Sequence, residues 1–124
     1  MAASGTINII AQLLGLGKEI DFIDRFTLTE TPAKSTQQYR IQATGGTAEV
    51  LDLGGVTTID LIIIKAVAND LLIDTSNVGG AGSFVEELNI SEGEIAVFKP
   101  GGTVFIDNET GVEQCTYEYI IIGR

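Results

Sequence analysis

From about residue 22 to Ile122 the chain is a succession of short runs in which apolar and polar side chains alternate, each closed by glycine, proline, asparagine or serine. A period of two lines every second side chain along one face of an extended strand, whereas a helix needs a period near 3.6. Phe22, Phe26 and Leu28 fall on one face with Arg25, Thr27 and Thr29 on the other, which predicts a half-buried strand. Thr31 to Ser35, with Pro32 inside it, breaks this run, and Tyr39, Ile41 and Ala43 then alternate with Gln38, Arg40 and Gln42 as far as Gly45-Gly46. A short run from Ala48 to Leu53 ends at Gly54-Gly55.

The segment from Val56 to Val67 is the longest apolar run, with Ile59, Leu61 and Ile63 on one face and Ile62 and Ile64 on the other. Apolar residues on both faces predict a strand in the middle of a sheet or against another subunit. Asn69-Asp70 predicts a tight turn, and the glycines among Thr75 to Ser83 predict a mobile surface loop. Alternation resumes from Phe84 to Ile90, then in Glu94 to Lys99, Thr103 to Asp107 and Val112 to Ile122. Eight or nine strands result, with no repeat of fixed period. The expected fold is all-β, a single antiparallel β-sandwich or jelly-roll-like barrel of about eight strands over residues 21–124.

Residues 1–20 differ. Ile7, Ile9, Ile10, Leu13, Leu14 and Leu16 lie among Gly5, Gly15 and Gly17 with neither clean alternation nor a helical stripe, which leaves an edge strand, a short helix of one to three turns or an extended arm, the arm or edge strand being the expected form. An apolar arm with no core of its own must bury itself on something, and in an assembly that is often a neighbouring subunit.

Composition agrees with strands. Isoleucine, valine and threonine supply 38 of 124 residues, and their branched side chains suit a pleated surface better than a helix. The apolar runs are far too short to cross a bilayer, and the start Met-Ala-Ala-Ser-Gly lacks the basic and apolar regions of a secretory signal, so an intracellular origin is expected. Cys115 is the only cysteine, which excludes an internal disulfide and leaves a small buried hydrophobe as its expected role. Of the net charge of −10, nothing comes from residues 1–40, where Lys18, Arg25, Lys34 and Arg40 balance Glu19, Asp21, Asp24 and Glu30. The acidic remainder repels phosphate backbones and argues against nucleic acid as a partner.

The chain has no histidine, which removes histidine-based nucleophilic triads and histidine-ligated metal sites. The closest acidic pairs, Glu86-Glu87 and Glu92 with Glu94, either point to opposite faces of a strand or flank a turn glycine, a poor geometry for paired acid and base work. Asp70 with Asp74, and Asp107-Asn108-Glu109 with Glu113, are the acidic loops closest to a calcium pattern, and neither matches the twelve-residue EF-hand loop, so they signal calcium only weakly. The glycines of Gly79 to Gly82 lack the Lys-Ser/Thr of a phosphate loop. The expectation is no enzyme and no cofactor. Tyr117 and Tyr119 share a face with Cys115 and Ile121 and are expected to be packed, as are the five phenylalanines, which leaves Tyr39 as an aromatic for sugar docking.

The run Leu88-Asn89-Ile90-Ser91-Glu92-Gly93-Glu94-Ile95-Ala96-Val97-Phe98-Lys99-Pro100-Gly101-Gly102-Thr103-Val104-Phe105-Ile106-Asp107-Asn108, with the closing Tyr117-Glu118-Tyr119-Ile120-Ile121-Ile122, resembles small β-sandwich virion proteins of tailed bacteriophages. In that pattern a strand, a Gly-Glu turn, an apolar strand and a Pro-Gly turn precede a final strand. The likeness covers residues 50–122. It implies a structural role in capsid decoration, a head fibre, or a collar or tail component, as a homo-oligomer, with a trimer as the expected state. The implied partners are other virion proteins such as the major capsid protein; the implied location is the virion, after synthesis in the host cytoplasm, with no membrane contact. The alternative is a carbohydrate- or receptor-binding sandwich of a tail or head fibre. The residues expected at the interface between copies are Ile7, Ile9, Ile10, Leu13, Leu14, Ile62, Ile64, Ile120 and Ile122. A competing expectation has Ile62 to Ile64 and Ile120 to Ile122 pairing at the centre of one chain's own sandwich.

Overall fold

The β-branched runs form strands wherever the alternation is clean, and the turn residues close them. The computed structural model of the chain describes residues 3–15, 20–43, 46–108 and 113–124. Leu16, Gly17, Lys18, Glu19, Gly45, Glu109 and Val112, singled out above, lie outside them. Among the described residues the strands are β1 (Thr6–Leu13), β2 (Ile20–Thr27), β3 (Lys34–Ile41), β4 (Glu49–Val50), β5 (Ile59–Ala68), β6 (Leu71–Asn77), β7 (Leu88–Ile90), β8 (Ile95–Phe98), β9 (Thr103–Asn108) and β10 (Thr116–Gly123). The one helical element among the described residues is a 3-10 turn at Ala81–Ser83.

Strands β3 to β10 form two four-stranded antiparallel sheets, ordered β3-β10-β5-β8 and β4-β9-β6-β7. Counted from β3, the first strand pairs with the eighth and the second with the seventh, the connectivity of an eight-stranded jelly roll. The expected all-β sandwich is therefore what the chain forms. The core lies between the sheets and includes Ile62, Ile64, Ile73, Ile106, Tyr117 and Ile121.

The long two-sided run becomes β5, which sits between β10 and β8 as its apolar faces require. Its isoleucines pair with those of the closing strand inside the same chain: Ile63 opposite Ile120, Ile62 opposite Ile121 and Leu61 opposite Ile122. Tyr117 and Tyr119 stack at 5.8 Å between ring centroids, and the Tyr119 hydroxyl donates to the Asp52 carbonyl at 2.8 Å. At the end of β10 the ladder slips between Ile122 and Gly123. A side chain at Gly123 would put its Cβ 2.0 Å from the Thr58 carbonyl oxygen, so only glycine fits this crossing. Asn69 makes the β5–β6 turn in the left-handed region, at φ 64°.

Three local expectations change. Alternation from Phe84 gives a strand only at Leu88–Ile90, because the preceding residues face a buried acid: the Val85 N–H donates to Asp74 Oδ2 at 3.0 Å. The stretch from Thr75 to Ser83 is tied down rather than loose. Asn77 donates to Asp74 at 2.9 Å and accepts from the Gly80 N–H at 2.9 Å, while Glu87 accepts from the hydroxyls of Thr75 and Ser76. Finally, β2 does not join the sandwich.

Candidate assembly surface

Among the described residues strands β1 and β2 pair only with each other, in register from Thr6 opposite Thr27 to Leu13 opposite Ile20. The boundary expected between residues 20 and 21 falls at the start of β2, so the arm is a hairpin that runs on to Thr27. Its base is held where the Leu28 N–H donates to the Gly5 carbonyl at 2.8 Å. Directly opposed residues of an antiparallel pair project to the same side. One face therefore carries Ile7, Ile9, Leu13, Phe22 and Phe26, with Asp24 as its charge; the other centres on the pair Ile10 and Ile23, which are 68% and 70% exposed. Phe22 and Phe26, read from sequence as core, are 53% and 42% exposed. The alternation was real, but beyond the root of the arm its apolar side meets no second sheet among the described residues.

The outer face of the β3-β10-β5-β8 sheet is also apolar. Register places Ile63 beside Ile120 on one side and Val97 on the other, with Lys65 beside Glu118 and Ile95 in the next row. A shallow depression of about 170 Å³ lies among Ile63, Ile95, Ile120 and the stems of Lys65 and Glu118. Tyr39 and Ile41 extend this face along β3, both exposed. At its β8 end, Leu61 is 5% exposed yet stands apart from the central core. It lies in a cleft of about 400 Å³ that Ile9 and Phe26 of the arm also line, so the root of the arm is seated on this sheet. Asp60 borders the same cleft; its Oδ1 accepts from Arg124 at 3.0 Å, while its buried Oδ2 has no hydrogen-bond partner among the described residues.

The residues expected at an interface divide. Ile10, Leu13 and Leu14 are exposed on the arm, and Ile7 and Ile9 are half-buried near its root. Ile120 and Ile122 are half-buried on the outer sheet face. Ile62 and Ile64 are not surface residues: both are 0% exposed in the core, on the opposite side of β5 from Ile63, so they meet no other subunit. Sequence reasoning missed Phe22, Phe26, Ile23, Ile63, Ile95 and Val97. The parity of Ile63 relative to Ile62 and Ile64 was visible, but which parity faces outward depends on the position of the second sheet.

Several of the other candidates hold the fold together. Among the described residues no three acidic or cysteine side chains cluster as metal ligands. Asp70 accepts from the Glu92 N–H, Glu92 from the Asn69 N–H, and Glu94 from the Ser91 N–H, so these acids cap turns. Burial would raise the Asp74 carboxyl, but hydrogen bonds from Val85, Asn77 and Ser76 outweigh it and hold the pKa below its ordinary value. Burial pushes the Cys115 thiol up to about 11, which leaves it protonated and inert at neutral pH. No helix among the described residues is long and apolar enough to cross a membrane. No protein family, curated protein or solved structure matches the chain.

Proposed function

We propose that this chain is a structural subunit of a phage virion, a capsid decoration, head-fibre or vertex-associated protein that acts by binding copies of itself and the particle, without catalysis. The observation that carries the self-association is a pair of apolar surfaces left partly open on one small chain, the hairpin arm beyond its root and the part of the outer β3-β10-β5-β8 sheet face that the root does not reach. Apolar area left in water forgoes roughly 25 cal/mol per Å², so two such surfaces favour assembly. The virion context draws on the likeness of residues 50–122 to small phage sandwich proteins. A jelly roll is compatible with that context, since capsid and lectin domains both use it, but fold alone assigns no function. The expected state is a closed ring of three copies, which multiplies one modest contact by symmetry.

Purified particles from the source test this reading. Immunogold electron microscopy should place the chain on the particle surface, at the vertices or across the capsid lattice. Particles devoid of the chain would sink it.

The exposed Tyr39, beside Arg40 and Ile41 on the edge strand β3, favours a second reading in which the sandwich binds a carbohydrate. Glycan-array binding abolished by Tyr39→Ala would support it, and an array with no binding would remove it.

A further inference from the structure

We infer that the arm of one copy lies across the outer sheet face of another, with Phe22 in the depression among Ile63, Ile95 and Ile120 and Asp24 against Lys65. This rests on the self-association proposed above and names the two surfaces that meet.

Three observations fit the arm to that face. The first is spacing. Phe22 and Asp24 are two residues apart on β2 and point the same way, as Ile63 and Lys65 do on β5. In extended strands both separations are about 7 Å, so one apolar and one charged contact form together. The second is charge. Asp24 is the charge on the arm's apolar face, and Lys65 stands on the outer sheet face in none of the ion pairs among the described residues. Glu118 stands directly across from Lys65 without an ion pair to it, so the lysine is the cation of the patch that can take the arm's carboxylate and fix the register of the arm. The third is continuity. The arm's own root, through Ile9 and Phe26, already borders a cleft with Leu61 and Val97 at the β8 end of this face, which shows the two chemistries to be compatible.

Size agrees as well. Eight-residue strands make an arm about 26 Å long, and four strands spaced ~4.8 Å apart make a face about 14 Å between its outer strands, wide enough to receive a two-stranded hairpin. Each copy gives an arm and receives one, so every chain contributes two patches towards the roughly 800 Å² per partner of a standard interface.

The test mixes two single-cysteine variants. Asp24→Cys chains and Lys65→Cys chains, carrying different tags, are co-expressed and treated with a short bismaleimide; Cys115, fully buried, stays silent. Molar mass by light scattering is read on the same sample. The expected result is an assembly in which cross-links join the two variants. Cross-links only between Asp24→Cys chains mean that arm pairs with arm, and an assembly with no cross-link means another contact; either overturns the inference and leaves self-association standing. A single-chain mass overturns both. A charge swap supplies a check without cysteines: Lys65→Glu should weaken association on the order of tenfold, and adding Asp24→Lys should recover most of it. Equal loss in the single and double variants contradicts the pairing.

Discussion

The jelly roll and the arm are built from the same residue types, yet one is closed and the other open. In β5, Ile62 and Ile64 alternate with Ile63 and Lys65, and the second sheet covers the first pair completely. In β1 and β2, Ile10 alternates with Ile9 and Ile23 with Phe22, and Ile10, Ile23 and Phe22 stay more than half exposed. The difference is one of partners. A lone two-stranded hairpin is at best marginally stable in water, whereas eight strands in two layers bury a continuous core. Alternation thus reports a strand with an apolar side, while burial depends on what the chain, or another copy of it, places opposite.

The largest effects should fall in the closed region. Ile64→Ala leaves a cavity between the sheets and is expected to cost about 2–5 kcal/mol in urea unfolding, against less than about 0.5 kcal/mol for Ile23→Ala on the arm of a dilute, unassembled chain. Similar losses at both positions would erase the distinction between the regions.

Next comes the buried acid beneath the 75–87 segment. Asp74→Ala strands the Val85 and Ser76 N–H groups and the Asn77 amide, and is expected to cost about 1–3 kcal/mol. Proteolysis within residues 78–86 should accelerate with it. Unchanged cleavage would mean that this segment is held by something other than the acid. Because the folded Asp74 has a lowered pKa, its contribution is present above the ordinary value of 3.8 and disappears as pH falls through the folded value.

A smaller effect sharpens the account of the core at high pH. Burial raises the Cys115 thiol from 9.0 to about 11 and the Tyr119 hydroxyl from 10.0 to about 12, and it raises Tyr117 as well. In this range the folded chain keeps protons that the unfolded chain has released, so stability should decline as pH rises from 9 to 12. Denaturation midpoints flat across that window would show these groups to be solvated. The arm should contribute nothing to this slope, since its described strands hold no cysteine or tyrosine.

The smallest expected change in folding is also the most telling for function. Phe22→Ser should leave the unfolding free energy of the dilute chain within about 0.5 kcal/mol while weakening self-association. Loss of stability without loss of association would assign the arm to the monomer's own core.

Much of the sandwich was legible because its strands obey local rules. The two-sided run of β5 required a central place, Asn69-Asp70 made its turn, and Tyr117 and Tyr119 on β10, with Cys115 just before it, joined the core. The assembly surface was only half legible. Ile10, Leu13 and Leu14 could be picked out as apolar residues without a pattern, but Phe22 and Phe26 had the same alternation as core residues, and nothing local says that β2 pairs with β1 alone. The grip on residues 75–87 was hidden for a related reason: glycines mark a loop, while the hold comes from Asp74 and Glu87, whose partners are brought close only by the fold. Long-range position, rather than residue type, separates what was read from what was missed.

Absolute molar mass of the chain by light scattering, over a wide concentration range, decides whether copies bind one another. A multiple of 13.1 kDa is expected, with three copies in the assembly, shifting toward the single chain when Phe22→Ser and Ile23→Ser are introduced. A constant mass of 13.1 kDa at every concentration would contradict it, because two apolar surfaces would then remain in water with no copy to cover them.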